Sequence, residues 1–382
     1  MERPYLHVCI ATGQNLANLI PALQLRAGKV VILETAAMHN SARNLEAALR
    51  AHNVEVERLS FDDSTPESIV ASAERIALQL GEEPLVFNAT GGHKLMTLAL
   101  SDRMEVAEAL HLLYCETRHD RLDWLKPVPI IEPMLDVLKL EDILCVQGYR
   151  IRRRTERDAY WLKDANERET LTRKLGDNAD KLAKFFGHLN GIADQALKNE
   201  PDGPLRPQQQ LPFTPGGRNA EVLSEAMKLG LLHWDGETEV VFASKAAARY
   251  FRGGWLEEYA LLKLRGIKPS DFSVDVVVES VEGKTENQFD ALVAHRNRLL
   301  VIECKTARFG LNEHKDSNYI YKLAQLSRRI GGIMSRSLLL SARPVSEDIL
   351  RRAKDNQVDI LAAEEVRNLV GYIRDWMSEV GE

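Results

Sequence analysis

The stretch Asn287 to Thr306, NQFDALVAHRNRLLVIECKT, restricts what this chain can fold into more than any other. Gln288 to His295 and Leu299 to Lys305 are apolar, β-branched runs separated by Arg296-Asn297-Arg298, a spacing that predicts two antiparallel strands joined by a short turn. Asp290 falls on the first strand. On the second, Glu303 and Lys305 alternate with Cys304, so they project from one face while the thiol turns toward a core. A carboxylate on one strand then sits beside a carboxylate and an amine on its neighbour. Metal-dependent phosphodiester chemistry uses such a set: hard oxygen ligands for Mg²⁺ or Mn²⁺, and a cation near the attacked phosphate. The same spelling recurs at Glu282-Gly283-Lys284 and Glu313-His314-Lys315, but both fall in turn or loop sequence, where nothing holds the outer residues on one face. Only Glu303-Cys304-Lys305 ends an apolar run, Leu299-Leu300-Val301-Ile302. The plain alternative is an edge hairpin with solvated charges; against it, a buried strand ending in charged groups is costly unless they pair or bind something.

At 382 residues, 45% hydrophobic and 28% charged, the chain has room for two or three domains. No run approaches the length of a membrane helix and Met1-Glu2-Arg3-Pro4 does not begin a signal peptide, so a cytoplasmic protein without membrane contact is expected. Cys9, Cys115, Cys145 and Cys304 are widely spaced, which suggests neither a disulfide framework nor a zinc site. The net charge of −6 confines any nucleic-acid contact to a local groove.

In the first domain, Met1 to about Gln147, apolar strands at Leu6 to Ile10, Val30 to Leu33, Val54 to Leu59, Leu85 to Asn88 and Leu110 to Cys115 alternate with amphipathic segments. This order implies an α/β fold with a mainly parallel, doubly wound sheet, whose ligands bind beyond the carboxyl ends of the strands. Loops emerge there at Ala11 to Asn15, Glu34 to Ser41 and Asn88 to Lys94. In the last, a strand feeds Thr90-Gly91-Gly92 and then a helix from Lys94 to Leu110, presenting backbone N–H groups and the positive helix end to an anion. Thr90, His93 and Lys94 add side-chain donors, and a phosphate-bearing ligand is the natural guest. The alternative is a glycine turn that merely lets strand and helix pack. Neither G-x-G-x-x-G nor G-x-x-x-x-G-K-[ST] is present, which disfavours NAD and ATP hydrolysis.

These residues carry a resemblance. Cys9-Ile10-Ala11-Thr12-Gly13-Gln14-Asn15 with Asn18 to Pro21, followed by Asn88-x-Thr90-Gly91-Gly92-x-Lys94-x-Met96, resembles the CARF sensor domain of CRISPR-associated effectors. The resemblance implies a Rossmann-like fold, a homodimer, and a cyclic oligoadenylate bound across the dimer axis. It implies a ligand pocket lined by Thr12, Gln14 and Asn15 and by Thr90, Gly91, Gly92, His93, Lys94 and Met96, with Thr35 and Met38 of the second loop as further candidates.

Between residues 148 and 253, Arg150, Arg152, Arg153, Arg154 and Arg157 form a basic run that reads as a solvated face or a nucleic-acid contact. Lys181 to Phe186 suggests a helix, and Pro201 to Gly217 a linker or exposed loop. A helix from Asn219 to Leu229, a hairpin about Asp235-Gly236 and a helix capped by Ser244 resemble part of a winged helix. Its recognition helix carries Glu221 and Glu225 against Lys228 alone, so a spacer is expected there rather than a DNA reader.

The last domain, 254–382, opens with a helix from Trp255 to Leu264 and a strand from Phe272 to Val281. After the hairpin come a helix (Asn318 to Ile330), a strand (Ser337 to Ser341), a helix, a strand (Val358 to Leu361) and a terminal helix. That order resembles the PD-(D/E)xK restriction-endonuclease-like fold. The resemblance assigns Asp290, Glu303 and Lys305 to its motif, with Phe289-Asp290 in place of the usual Pro-Asp, and Glu257 as the helical carboxylate. The residues do not decide between Glu257 and Glu258, and Gln325 matches a helix position that often supports such a site. A sensor followed by this effector resembles the CRISPR ancillary nucleases. The resemblance implies a nuclease of low sequence selectivity on DNA, RNA or both, switched on by cyclic tetra-adenylate, in which Asp290, Glu303 and Glu257 hold Mn²⁺ or Mg²⁺ and Lys305 positions the attacking water. The rival expectations are a ligand-responsive DNA-binding regulator whose last domain is only a scaffold, and an unregulated repair or restriction-type nuclease.

Overall fold

A computed structural model of the chain describes residues 6–81, 83–105, 110–198, 203–283, 285–307 and 313–379, with 313–317 as backbone alone. The readings at Met1 to Pro4, at Pro201 and at Lys284, and those of the side chains of Glu313, His314 and Lys315, lie outside these residues.

The amino-terminal sheet contains β1 (Leu6–Ile10), β2 (Lys29–Glu34), β3 (Glu55–Ser60), β4 (Leu85–Asn88), β5 (Leu110–Glu116), β6 (Arg121–Lys126) and β7 (Ile130–Pro133). Its order is β3-β2-β1-β4-β5-β6-β7, parallel as far as β5 and antiparallel beyond it. The strands alternate between two buried faces. Val8, Ile10, Val31, Leu33 and Phe87 pack under α3 (Pro66–Leu80) and α4 (Lys94–Met104), while Cys9, Val30, Ile32 and Val86 pack under α1 (Leu16–Gln24), α2 (His39–Ala51) and α5 (Leu140–Val146). Helix α4 stops at Met104 instead of running to Leu110, because Leu110 opens β5 opposite Leu85. The chain reverses its direction of winding between β1 and β4, so the loops after these neighbours flank the crevice where such sheets take ligands.

The second large sheet has the order β16-β15-β14-β13-β12-β8. Its strands are β8 (Tyr149–Arg154), β12 (Asp271–Ser280), β13 (Glu286–His295), β14 (Arg298–Lys305), β15 (Ser335–Ser341) and β16 (Val358–Ala362). The basic run is therefore an edge strand of this sheet, not a free patch in a linker. Arg150 pairs with Glu279, Arg152 with Glu286, Arg153 with Asp275, and the buried Arg154 with Asp271 and Glu141. Carboxylates on the adjoining β12 and β13 absorb the charge that suggested nucleic acid.

Helices α6 (Ala159–Glu167), α7 (Glu169–Asp177) and α8 (Ala179–Ala196) follow, then a sheet ordered β10-β11-β9 from β9 (Gln208–Gln210), β10 (Leu232–Trp234) and β11 (Glu239–Phe242). The expected loop at Pro201 to Gly217 thus supplies a strand. Helix α9 (Arg218–Lys228) precedes the hairpin, and Ser244 caps α10 (Lys245–Arg249) by accepting the Ala247 N–H. This region is not a detached spacer. Phe185, Phe186, Val222 and Phe242 share one core with α11 (Trp255–Ile267) and with Val293, Leu300, Ile302 and Leu338 of the second sheet.

The opposite face of that sheet, through Phe289, Leu292, Leu299 and Val301, packs with α12 (Glu313–Gly331) and α13 (Glu347–Asp355) into the core that also holds α1, α2 and α5. The chain closes with α14 (Leu369–Ser378). Among the described residues no helix is long and apolar enough to cross a membrane. The four cysteines are all free.

Candidate active site

Two positive φ angles, 50° at Arg296 and 59° at Asn297, make the tight turn that aligns β13 with β14, so Arg298 opens the strand rather than closing the turn. Asn297 tolerates this backbone and anchors it. Its Nδ2 donates to the Leu135 carbonyl at 2.7 Å, and its Oδ1 accepts from Val137 at 2.9 Å and Leu138 at 3.1 Å, tying the hairpin tip to the segment after β7. From there the register runs His295↔Arg298 to Ala291↔Ile302, which brings Asp290 level with Glu303.

At Asp290 the regular alternation breaks. The β12–β13 pairing passes from Val274↔Ala291 to Val276↔Phe289, and Asp275, opposite Asp290, takes a left-handed φ of 44°. Such a conformation is strained for a residue with a Cβ, and strain of this kind gathers at working sites. It is stabilised by hydrogen bonds that the Asp275 carboxylate accepts from Arg153, Gln288 and Thr155.

The half-buried Asp290 accepts the Cys304 N–H through Oδ2 at 2.6 Å, which locks it against β14 between Glu303 and Lys305. Lys305 Nζ lies 3.7 Å from Glu303 Oε1 and 4.1 Å from the centre of the Tyr319 ring, and the Tyr319 hydroxyl donates to the same Glu303 oxygen. Burial first, then the Glu303 charge, pushes the Asp290 carboxyl up to about 7. Glu257 on α11 is also raised, by burial and then by Asp290, Asp275 and Glu303. Burial among these carboxylates drives the Cys304 thiol up as well, so it stays protonated and packs as a small core group.

Its neighbour Glu258 has a different task. It is 3% exposed and takes the Arg168 guanidinium in a two-pronged contact, Nη2 to Oε1 at 2.6 Å and Nε to Oε2 at 3.3 Å. Glu257, not Glu258, therefore shares the field of Asp290 and Glu303. The helix residue that reaches the site is Tyr319; Gln325, on another side of α12, is exposed. The false match at Glu313 to Lys315 begins α12 instead of lying in a loop, and residues two apart on a helix do not share a face.

Among the described residues no three carboxylate, imidazole or thiol side chains stand grouped so that they could hold a metal ion as placed. The donor set nonetheless fits a hard divalent cation: carboxylates of Asp290, Glu303 and Glu257 from three elements, two of them held above their usual range by burial and mutual repulsion that a cation would relieve. Beside them opens a cleft of about 780 Å³, lined by Glu257, Asp275, Cys304, Lys305 and residues of α8 and α10.

A second cavity, of about 230 Å³, lies at the carboxyl edge of the amino-terminal sheet. Thr12, Gln14, Thr90 and Gly91 line it, together with Asn18, Tyr114 and Glu116. The other expected lining residues are placed differently. Asn15 is buried, its side chain accepting from Thr12 and donating to Ser41. Met96 belongs to the core under α4, Thr35 is buried, and Met38 packs on the core under α1 and α2. Gly92, His93 and Lys94 are exposed beside the pocket without lining it. Both glycines also have a packing reason: a Cβ would stand 2.2 Å from the Ile10 carbonyl at Gly91 and 2.7 Å from the Ile10 side chain at Gly92. Gln14, Ile333 and Met334 make this pocket a junction, since Gln14 Oε1 accepts the Ile333 N–H at 3.1 Å in the turn between α12 and β15.

Residues 244–380 match the Card1-like endonuclease domain family. No curated protein matches the chain in sequence. In three dimensions it is similar to protein VC1899 from Vibrio cholerae, with 21% identity, 99% of each chain covered and a TM-score of 0.84. It is similar also to Can2 from Sulfobacillus thermosulfidooxidans, solved in complex with cyclic tetra-adenylate, with 21% identity, 98% of each chain covered and a TM-score of 0.80. A type III CRISPR defence DNA nuclease activated by cyclic oligoadenylate matches at 19% identity and a TM-score of 0.53, over 91% of this chain and 46% of that one. Residues 244–380 thus match the Card1-like endonuclease domain family, and the chain shares its fold along its length with solved proteins.

Proposed function

We propose that the chain is a metal-dependent endonuclease switched on by cyclic tetra-adenylate, cleaving DNA, RNA or both with low sequence selectivity in type III CRISPR defence. The observation that carries this reading is the joint occurrence of the endonuclease-domain match with the convergence of Asp290, Glu303 and Lys305 on adjoining strands. Asp290, Glu303 and Glu257 would hold Mn²⁺ or Mg²⁺, which would supply Lewis-acid activation of the scissile phosphate and of the attacking water. Lys305 orients the attacking water and offsets charge on the phosphate, and Tyr319 keeps Glu303 and Lys305 in register. The cavity beside Thr12, Gln14, Thr90 and Gly91 takes the activator, with Lys94 and His93 at its rim. Two copies pair across the sensor edge, a reading supported by the exposed Leu95 and Leu98 on α4. The regulator alternative has less support: α9, the would-be recognition helix, has its acids Glu221 and Glu225 occupied by Lys174 and offers few bases.

The test is incubation of plasmid DNA and of single-stranded RNA with Mn²⁺ or Mg²⁺, with and without cyclic tri-, tetra- or hexa-adenylate. Cleavage that needs both metal and activator, and that is lost in Asp290→Asn, supports the reading. Specific duplex binding without cleavage would favour the regulator.

A further inference from the structure

The middle region supplies one wall of the cleft that ends at Lys305. On that wall, α8 presents Gly187, Asn190 and Gly191, and α10 with the turn after it presents Arg249 and Arg252. Arg343, just past β15, reaches the same space from the second sheet. Its guanidinium lies across Gly187: a Cβ there would stand 2.7 Å from Arg343 Nη1. At Gly191, one helical turn on, a Cβ would meet nothing within 4 Å, so this face of α8 is open to a guest.

The charges are sorted along the cleft. Of its carboxylates, Glu258 is taken by Arg168, Asp164 lies 3.6 Å from Arg168, and Asp194 lies 3.9 Å from Arg252. Asp275 is taken by Arg153, which leaves Glu257 beside the catalytic carboxylates, and Arg249, Arg252 and Arg343 line the same cleft. Asn190 donates to Thr306 Oγ1 at 2.9 Å, next to Lys305, while its Oδ1 is buried with no partner. A buried acceptor left unsatisfied beside a reactive centre costs free energy that a donor on a guest would recover.

We propose that this wall is the strand-binding surface of the enzyme: Arg249, Arg252 and Arg343 grip successive phosphates of a nucleic-acid strand, and Asn190 accepts a hydrogen bond from a sugar or base next to the scissile bond. The inference rests on the nuclease reading of the same cleft. It gives the winged-helix-like region a function that its recognition helix does not, since contact falls on α8 and α10 and not on α9. Arginine suits the task because its planar fork takes phosphate oxygens in pairs. Binding through arginines to a backbone is insensitive to sequence.

The full chain with cyclic tetra-adenylate, in EDTA so that nothing is cut, is titrated into fluorescently labelled single-stranded DNA and RNA oligomers at several salt concentrations, and anisotropy is read. Arg249→Ala, Arg252→Ala and Arg343→Ala are each expected to raise Kd several-fold and to flatten the log Kd against log salt slope by roughly 0.7 per arginine. Arg343→Lys should retain most of the slope, which separates lost charge from misfolding. Asn190→Ala should raise Kd at unchanged slope, more for RNA than DNA if the donor is a ribose hydroxyl. Unchanged Kd and slope in all three arginine variants overturn the proposal, as does a loss found only in Lys228→Ala on α9. Arginine-dependent binding by a chain that cleaves nothing once metal is restored would uphold the wall and count against the nuclease reading.

Discussion

Neighbouring acids on one helix turn do opposite things, and substitution separates them. Glu258 is a buried partner of Arg168, so Glu258→Ala leaves a guanidinium unpaired in the core and is expected to cost about 3–5 kcal/mol in urea unfolding. Glu257→Gln should spare stability and abolish cleavage. Asp290 sets a pH dependence whose sign is fixed: its folded pKa of about 7 stands above the ordinary 3.8, so between those values the folded chain keeps a proton that the unfolded chain has lost. Stability of the metal-free protein therefore falls as pH rises through that window and levels off above 7. Asp290→Asn removes the penalty, and at pH 8 it is expected to stabilise the metal-free protein by on the order of 1–3 kcal/mol while eliminating cleavage. Calorimetric melting at pH 5 and pH 8 checks this. A Tm for Asp290→Asn below that of the parent at pH 8 would show the carboxylate to be structural. Alternation along a strand made Glu303 and Lys305 legible as one pair. Glu257 against Glu258 was not legible, because both lie on a helix buried on most sides and only Arg168, far away in sequence, tells them apart. Tyr319 was equally hidden, since its reach to Glu303 depends on where α12 lies over the sheet.

At the scale of elements, strands announced themselves through apolar runs, and β1 to β5 of the amino-terminal sheet fall where the sequence placed them, whereas the antiparallel β6 and β7, with charged and proline-broken sequences, were not foreseen. Nor was β8, because its arginines read as surface when their partners lie on another strand. Asn15 and Met96 illustrate a second limit: a motif residue can keep the loop in shape, as Asn15 does for Thr12, without touching a guest. The hairpin turn is an element-level joint. Asn297→Ala forfeits hydrogen bonds to Leu135, Val137 and Leu138 and is expected to cost about 1–3 kcal/mol, read by chemical denaturation. Lys94→Ala, at the exposed start of α4, should leave maximal cleavage intact and raise the activator concentration needed by about tenfold, the weight of one charge-assisted hydrogen bond.

Across the whole molecule, cores replace linkers. One face of the second large sheet shares its core with α1, α2 and α5 of the amino-terminal domain and the other with the middle region, a continuity that no sequence period can reveal because it joins residues from distant parts of the chain. The turn after α12 touches the amino-terminal cavity through Gln14, and Tyr319 near the other end of the same helix touches Glu303. A Cβ at Gly332, where φ is 63°, would stand 2.1 Å from Gln14 Oε1. Gly332→Ala is therefore expected to loosen the response of cleavage to activator more than it lowers activator binding, a split measured by comparing dose–response curves with direct titration. The measurement that tests the account most directly follows cleavage of a single-stranded substrate with Mn²⁺, comparing the parent chain with Asp290→Asn and Lys305→Ala, with and without cyclic tetra-adenylate. Cutting is expected from the parent with activator, and from neither variant under any condition. Cutting that persists in both variants would contradict the nuclease reading.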